Sequence, residues 1–447
     1  MMVLPRLLLL GFEPLLGLAS FLPGLLRPDS VGVRSQSRIG GQRQPNGSRH
    51  VRASLQQQRV NITRPLPELV NSKFHISPRW EREGLFGFGA GIVYMLELFL
   101  GTPQQKVSLI LDTGSFAMLV DPDCVRAADA TACQKYGYYN TSTSATARNL
   151  NSNFVAQFGT GYMEGYWFNE TVFVGQDALP LPESRVGVNS WSNYMWAGIL
   201  GASYGQAWNT QYATFLDSLV GEGYINVPIF SLGVGYQNPG SSGDIVFGGV
   251  DRWKFRGYLE PLEIWPKPAI QMANWQQVGY WVNITSLSIS PPGQDETTLT
   301  TDNFSRMMLI DSGSTFTYID ASLVSQIAKA FNAQVDSRGV YYVSCDYRNQ
   351  TGTVNFGFNH GNMVIRVTYA DFIVDFTTYC ALGVQAADAG ETSWVLGNSF
   401  IRAAYIVFDQ EDDAVWLAQY QPCSESGITD LTRDAGKELW LDVTGEC

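Results

Sequence analysis

Short apolar runs separated by Gly, Pro and Asn recur along the chain from residue 93 onward. Short runs bounded by turn residues are typical of β-strands. They predict strands at residues 93–100, 107–111, 154–158, 171–174, 229–234 and 245–247. Helical periodicity is scarce, and its best example is residues 321–332, with Leu323, Ile327, Ala330 and Phe331 on one face. The pattern indicates an all-β dominated fold with few short helices.

The first 83 residues follow a different pattern. Arg6 precedes apolar residues at 7–10 and 15–21, which predicts a secretory signal over residues 1–19, although Glu13 and Pro14 interrupt the apolar stretch. Residues 20–83 are rich in Arg, Gln, Ser and Gly with little apolar periodicity. This composition predicts an extended or loosely structured segment, with a disordered linker as the alternative. Further along, the Pro-rich stretch 261–268 marks a joint between two halves.

Charge is unevenly distributed along the 447 residues, of which 45% are hydrophobic and 16% charged. Residues 1–83 carry a formal charge of +7 and the remainder −19, which together make the net −12. An acidic body of this kind excludes nucleic-acid binding, because phosphate contacts need clustered cations. It favours acidic surroundings, where protonation relieves self-repulsion. The basic segment 20–83 is suited to lie across the body and to be released by acidification.

Six cysteines favour disulfide bonds in a secreted chain. Short loop closure favours pairing Cys124 with Cys133 and Cys345 with Cys380, and leaves Cys423 and Cys447 for each other. Free buried thiols are the alternative. A zinc site is disfavoured because neither a Cys-x-x-Cys sequence nor a paired His spacing is present. Seven Asn-x-Ser/Thr sequences fit a secreted glycoprotein.

The most informative feature is an internal repeat. Residues 109–115 read Leu-Ile-Leu-Asp-Thr-Gly-Ser, and residues 308–314 read Met-Leu-Ile-Asp-Ser-Gly-Ser. Each is followed by an apolar-Leu-Gly element, so that Gly201 lies 89 residues after Asp112 and Gly397 lies 86 residues after Asp311. A duplicated half-chain that supplies one carboxylate per copy predicts a symmetric site with two facing Asp residues.

Two facing carboxyls can hydrolyse a peptide bond. The ionised carboxyl accepts a proton from water while the protonated carboxyl donates toward the substrate carbonyl. Because two close negative charges cannot both form readily, one pKa falls and the other rises. The hydroxyls of Thr113, Ser115, Ser312 and Ser314 are expected to donate to the two carboxylates and hold them coplanar, and Gly114 and Gly313 to allow close backbone approach.

A competing motif is Gly201-Ala202-Ser203-Tyr204-Gly205, which fits the Gly-x-Ser-x-Gly turn of α/β-hydrolases. That interpretation requires a strand-turn-helix and a downstream His, for which only His360 is available. The surrounding sequence does not alternate strands with long helices, so we disfavour it. His50 and His75 fall in the basic segment and are expected to be solvated. The aromatic stretches 136–139 and 191–196 fit either substrate pockets or core packing.

On the basis of these motifs, the chain resembles the pepsin-type aspartic proteases over about residues 90–420. The resemblance extends to Gly-Thr-Pro-Gln-Gln at 101–105, Phe-Gly-Thr-Gly at 158–161, Gly-Ile-Leu-Gly at 198–201, Phe-Gly-Gly-Val-Asp at 247–251 and Val-Leu-Gly-Asn-Ser-Phe at 395–400. It implies a bilobal pepsin-like fold, with two six-stranded-barrel-like lobes and a central cleft. It further implies a basic propeptide over residues 20–83, an N-terminal lobe over 84–265 and a C-terminal lobe over 266–447.

The resemblance implies that Asp112 and Asp311 form a catalytic dyad, and that Phe158, Gly159 and Thr160 lie in a flap over the substrate. The family usually has a flap Tyr where this chain has Phe158, bonded to a Trp where this chain has Leu119. Because both polar partners are replaced together, we expect an apolar flap contact and a working enzyme.

We therefore expect an acid endopeptidase that is made as a zymogen and cleaves extended polypeptides, with its own propeptide as inhibitor. It is expected to be a monomer without metal, organic cofactor or nucleic-acid partner. It would be secreted to the extracellular space or to an acidic compartment of the secretory pathway such as the vacuole. The alternative is a catalytically silent relative that binds peptides or glycans.

Overall fold

The structure is a computed structural model that describes residues 50–61, 90–121, 123–125, 130–158, 161–174, 179–193, 197–235, 242–273, 277–337, 339–387, 394–431 and 443–447. Residues 43–447 group into one compact unit. A second unit, residues 1–42, lies outside the described residues, as do the predicted signal 1–19, His75 and the flap residues Gly159 and Thr160.

Strands dominate the described chain, and all the helices in it are short. The strands of the first half are β1 (Val51–Asn61), β2 (Ala90–Leu100), β3 (Gln105–Asp112), β4 (Met118–Val120), β5 (Arg148–Phe158), β6 (Gly161–Val174), β7 (Leu179–Asn193), β8 (Ile199–Gly201), β9 (Ile229–Gly233), β10 (Ser242–Phe247), β11 (Gly249–Asp251), β12 (Arg256–Tyr258) and β13 (Glu260–Glu263). The strands of the second half are β14 (Trp281–Ser290), β15 (Thr297–Thr298), β16 (Arg306–Ile310), β17 (Thr317–Ile319), β18 (Gln334–Val335), β19 (Tyr341–Val343), β20 (Thr353–Phe358), β21 (Met363–Thr368), β22 (Ile373–Asp375), β23 (Cys380–Leu382), β24 (Val384–Ala386), β25 (Trp394–Leu396), β26 (Ala404–Asp409), β27 (Ala414–Gln419), β28 (Ile428–Asp430) and β29 (Thr444–Glu446). The helices are α1 (Ala130–Tyr136), α2 (Phe215–Gly221), α3 (Pro268–Ala273), α4 (Ala321–Ala330), α5 (Tyr369–Phe372) and α6 (Asn398–Ile401), with 3-10 turns at Thr141–Thr143, Arg252–Lys254, Cys345–Asn349 and Asn359–Gly361.

The predicted all-β dominated fold is confirmed, and each predicted strand falls on an observed one. The predicted helix is α4, which begins at a side-chain cap in which Asp320 accepts a hydrogen bond from Ser322 N at 2.7 Å. It ends two residues before Asn332, whose φ of 51° lies in the left-handed region. None of the helices in the described ranges has the length and apolar character of a membrane-spanning segment.

One large sheet carries the first half of the repeat. Its strand order is β13-β27-β26-β9-β10-β1-β2-β3-β8-β4-β7-β6-β5. A second sheet, β21-β20-β14-β16-β25-β17-β24, carries the second half. Within them the sequences β3-β8-β4-β7 and β16-β25-β17-β24 match, with parallel, antiparallel and parallel pairing in turn in both sheets. The duplication seen in the sequence is therefore a duplication of local topology.

Strand β1 lies inside the large sheet, although its residues belong to the segment predicted to be loosely structured. It pairs with β10 on one side and β2 on the other. Val51, Ala53 and Leu55 are buried, whereas the intervening residues are exposed. This alternation of apolar and polar residues is typical of a strand with one buried face. The prediction that residues 20–83 have little apolar periodicity is therefore wrong for the beginning of β1.

Polar contacts also hold the beginning of β1 against the acidic body. Arg52 forms an ion pair with Asp244 on β10, and His50 contacts the carboxylate of Asp430 on β28. The expectation that His50 is solvated is wrong, because its side chain is only 17% exposed and lies against that carboxylate.

The sheet also crosses the boundary expected between the two lobes. Strands β26 and β27 come from the end of the chain, yet β26 pairs with β9 and β27 pairs with β13. The division at residues 265 and 266 is therefore not a division between sheets, because the last strands return to pair with strands of the first half.

The structure contains the disulfides Cys124–Cys133, Cys345–Cys380 and Cys423–Cys447. The first two close the short loops that the sequence favoured. The third ties Cys423 to the segment of β29, which pairs with β12. Among the described residues the cysteines are all paired, so the alternative of free thiols is not met there.

Candidate active site

The two repeated Asp residues occupy equivalent places in the two halves. Asp112 is the last residue of β3 and lies opposite Gly201 of the parallel strand β8. Asp311 directly follows β16, and its N–H donates to the carbonyl of Leu396 on the parallel strand β25 at 3.1 Å. Largely apolar strands deliver both carboxyls to turns at the strand ends, since β3 is buried from Val107 onward and β16 buries Met308 and Ile310. This is why each Asp follows a run of apolar residues.

Four hydrogen bonds join the two turns reciprocally. Thr113 Oγ1 donates to the carbonyl of Ile310 at 2.8 Å and accepts from Ser312 N at 2.9 Å. Ser312 Oγ donates to the carbonyl of Leu111 at 2.7 Å and accepts from Thr113 N at 3.1 Å. Both side chains are fully buried. These bonds hold the two Asp-bearing turns in one fixed arrangement.

The expected role of the hydroxyls is therefore corrected. Thr113 and Ser312 donate to backbone carbonyls of the opposite half rather than to carboxylates, because buried carbonyls at this junction need donors. Ser314 Oγ donates to the carbonyl of Phe316 at 3.1 Å. Of the four hydroxyls, Ser115 is the one whose bond goes to a carboxylate, that of Asp112.

Backbone donors complete the two carboxyl environments. Gly114 N donates to Asp112 Oδ1 at 2.9 Å, and Gly313 N donates to Asp311 Oδ1 at 2.8 Å. The two carboxyls lie close together, because Oδ1 of Asp311 and Oδ1 of Asp112 are 2.8 and 3.1 Å from the same point, the position that a Cβ on Gly114 would occupy. Asp112 thus receives a hydroxyl donor in addition to its backbone donor.

Both glycines are required by the closeness of the opposite carboxyl. A Cβ on Gly114 would lie 2.8 Å from Cγ of Asp311, and a Cβ on Gly313 would lie 2.6 Å from Oδ1 of Asp112. Contacts this short do not occur between real Cβ atoms and neighbouring heavy atoms. Each Gly therefore allows the carboxyl of the other half to approach, as its place in the motif suggested.

The pKa of Asp311 is raised well above its ordinary value. The largest cause is removal of the carboxyl from water, followed by the charge of Asp112 and the hydrogen bond between the two side chains. The backbone N–H groups of Gly313 and Ser314 oppose the shift. The site can therefore keep a proton on one carboxyl at pH values where an ordinary Asp is ionised.

The hairpin of β5 and β6 carries Phe158 next to its tip, paired with Gly161. Phe158 packs against an apolar cluster that contains Leu119, Phe154, Met163 and Ile199. Leu119 and Phe158, which stand where the family usually has a hydrogen-bonded Trp and Tyr, are thus part of one apolar cluster. The flap residues Gly159 and Thr160 lie between the ends of the described segments and are outside the described residues.

The serine-hydrolase interpretation does not fit the fold. Ser203 is buried, and its hydroxyl donates to the carbonyl of Val278 at 3.1 Å. Strand β8 leads into a loop and not into a helix, and the helix that follows begins only at Phe215. Ser203 is a structural residue of the loop beside Asp112, because its N–H donates to the carbonyl of Ser115 at 2.8 Å.

Two supporting residues were not identified from the sequence. Thr315 Oγ1 accepts from Ile92 N at 3.0 Å and donates to the Ile92 carbonyl at 3.1 Å. The buried Asn398 donates from Nδ2 to the carbonyls of Ile92 and Ser312, at 3.0 and 2.9 Å. Both residues tie β2 to the turn of Asp311. Asn398 lies within the recognised motif 395–400, but only the fold reveals its partners.

Within the described ranges, no group of three or more His, Cys, Asp or Glu side chains could hold a metal ion. The two carboxyls and the donors around them instead suit a proton shared between acids. Such a pair can activate water and polarise a carbonyl group together.

Comparisons with known proteins agree with this geometry. The family model of the eukaryotic aspartyl proteases matches residues 93–420. Gastricsin from Rattus norvegicus is 27% identical over 333 residues, which cover 73% of this chain and 80% of gastricsin. Secreted aspartic protease 5 from Candida albicans is 30% identical over 360 residues, covering 75% of this chain and 78% of that protein. A probable aspartic-type endopeptidase, opsB, from Aspergillus oryzae is 28% identical and covers 73% of this chain and 68% of its own length. The chain therefore belongs to the eukaryotic aspartyl protease family, as an aspartic-type endopeptidase with the bilobal pepsin-like fold.

Proposed function

We propose that this protein is a secreted acid endopeptidase in which Asp112 and Asp311 activate one water molecule between them. The observation that carries the proposal is the reciprocal pairing of the two Asp turns, which brings both carboxyls against the same glycines. This arrangement lets one carboxyl act as a base on the attacking water while the other acts as an acid toward the carbonyl oxygen of the same peptide bond.

The surroundings of the two carboxyls support a division of roles. Asp112 accepts hydrogen bonds from Gly114 N and from the Ser115 hydroxyl. Burial and the neighbouring charge favour the protonated form of Asp311. We therefore assign the base that accepts the proton of water to Asp112, and the acid that donates toward the substrate carbonyl to Asp311.

The flap is proposed to close over an extended polypeptide. Phe158 stands beside the tip of the β5–β6 hairpin and is joined to its base by apolar packing. An apolar flap of this kind excludes water from one side of a bound chain, and apolar side chains next to the cut bond would be preferred for the same reason.

The leader is proposed to consist of a signal over 1–19 and an inhibitory propeptide over 20–83. The contacts of Arg52 with Asp244 and of His50 with Asp430 support an electrostatic hold between this segment and the body. Release of this hold in acid would couple activation to an acidic compartment or to secretion into acid.

Casein digestion at acid pH tests the activity. The wild-type chain is expected to digest casein and to be blocked by pepstatin, while Asp112→Asn and Asp311→Asn each abolish digestion and leave circular dichroism unchanged. An intact, folded wild-type protein that digests nothing would favour a silent peptide-binding relative. Digestion that persists in either Asn variant would refute the dyad.

A further inference from the structure

The segment 277–279 connects the second half of the chain directly to the turn of Asp112. Val278 is buried, and its N–H donates to Asn209 Oδ1 at 2.8 Å. Its carbonyl accepts from Asn209 Nδ2 at 2.8 Å and from Ser203 Oγ at 3.1 Å. Gly279 N donates to Gln271 Oε1 at 3.0 Å. Side chains of other residues therefore fix the backbone of this segment in place, without help from the side chain of Gln277.

The side chain of Gln277 is then held beside the dyad. Gln277 is exposed, and its Nε2 donates to the carbonyl of Gly114 at 2.8 Å. Gly114 is the residue whose Cβ position lies 2.8 Å from Cγ of Asp311 and 3.1 Å from Oδ1 of Asp112. The amide of Gln277 thus contacts the backbone of a residue that packs against both carboxyls, although Gln277 comes from the other half of the chain.

Structural support does not account for this side chain. A single exposed hydrogen bond adds little to folding stability, because water replaces it when the side chain is removed. The backbone of Val278 is already held by three bonds. The side chain is therefore available for a role at the site itself.

We propose that Gln277 is a further substrate-binding residue, whose side-chain amide contacts the backbone of the polypeptide next to the cut bond. This inference rests on the proposed function. One N–H of the Gln277 amide is used by the Gly114 carbonyl. The amide of Gln277 adds an acceptor oxygen and a second N–H donor, which match the N–H and C=O groups of an extended chain.

Contacts of this type form with the bound substrate and persist in the transition state. Such contacts stabilise the bound substrate and the transition state equally, so their loss changes KM more than kcat. Gln277→Ala and Gln277→Met are therefore expected to raise KM about 10-fold with kcat changed by less than about threefold. The Met variant keeps the length of the side chain and removes its polar atoms, so it separates hydrogen bonding from packing.

A Gln277→Glu variant supplies a signature that a structural role would not produce. The protonated Glu can still donate to the Gly114 carbonyl, but the ionised Glu cannot and places a charge beside the dyad. Its KM should stay near the wild-type value well below pH 4 and rise steeply as the new carboxyl ionises around the usual Glu pKa of about 4.3. The KM of the Ala variant should be raised at every pH.

The experiment uses the full chain after incubation at acid pH and one peptide substrate in several forms. In each form, one amide near the cut bond is replaced by an ester, which removes a single N–H. Gln294→Ala, which changes an exposed Gln in the turn between β14 and β15, is the matched control and should behave as wild type. We expect one ester position whose penalty in kcat/KM is at least about fivefold smaller in Gln277→Met than in wild type, because its partner is already absent.

The outcomes separate this inference from the proposed function. If wild type does not cleave the parent peptide, or if Asp112→Asn still cleaves it, the proposed function fails. If wild type cleaves and Asp112→Asn does not, but the Gln277 variants keep the wild-type KM and show the same ester penalties, only the assignment of Gln277 is overturned.

Discussion

Replacing Thr113 by Val tests the reciprocal junction of the two Asp turns. Val keeps the branched shape of Thr but has no hydroxyl, so the buried site loses no volume. Ser312 N then loses its acceptor, at 2.9 Å in the native protein, and the Ile310 carbonyl loses its donor, at 2.8 Å. Both groups stay buried, because the substitution opens no path for water.

The size of the effect follows from these two unpaired groups. A buried polar group left without its partner costs about 1–3 kcal/mol. The two together should lower the free energy of unfolding by about 2–6 kcal/mol. A displacement of the Asp112 carboxyl relative to Asp311 would follow, and errors of about 1 Å in catalytic geometry reduce rates by about 100-fold. We therefore expect both stability and kcat to fall.

Urea unfolding and casein turnover of the same preparations provide the assay. Thr113→Ser keeps the hydroxyl and is the control, expected within about 1.5 kcal/mol of wild type. Ser312→Ala removes the equivalent hydroxyl from the other half. Because the two residues share one network, the double variant Thr113→Val/Ser312→Ala should be less destabilised than the sum of the singles by about 0.5–3 kcal/mol. A Thr113→Val protein as stable and active as Thr113→Ser would refute the reasoning.

Three further predictions concern pH and the leader. Because the pKa of Asp311 is raised by burial, the native state binds this proton more tightly than the unfolded state does. The free energy of unfolding should therefore fall as pH rises above about 4, and it should fall less in Asp311→Asn. Urea unfolding at a series of pH values measures both. As pH rises, Asn398→Asp should lose activity at a lower pH than wild type does, because only a protonated carboxyl can donate to the Ser312 carbonyl. An unchanged pH profile of kcat would contradict this. Arg52→Ala should speed release of the leader at pH 5, measured by N-terminal sequencing over time, and equal rates would exclude a role for its pairing with Asp244.

Much of the fold could be predicted because its signals are local. Runs of apolar residues bounded by turn residues placed the strands, and the side-chain cap at Asp320 with the 3.6-residue periodicity placed α4. The repeat brought out Asp112 and Asp311 because both copies keep the same residue types at nearly the same spacing. Strand β1 was not predicted from the sequence, because the basic and polar residues of this segment outnumber the alternating apolar residues Val51, Ala53 and Leu55.

The partners of side chains at the junction could not be predicted in the same way. The hydroxyls of Thr113 and Ser312 were expected on the nearest carboxylates, yet the carbonyls that they bind come from residues about 200 positions away in the chain. Gln277 carries no motif at all, and its contact with Gly114 exists only because Val278 is clamped to the loop after β8.

By itself, the sequence determined that this chain folds into two β-rich copies, each ending a buried strand in an Asp-containing turn, because residue periodicity and motif spacing act over short distances. Only the tertiary structure decided which donors meet which acceptors, that β26 and β27 return to the first half's sheet, and that β1 fills its centre. These pairings depend on burial, because a buried polar group must form a hydrogen bond with a partner that the packing brings within reach. That partner can lie at any distance along the sequence.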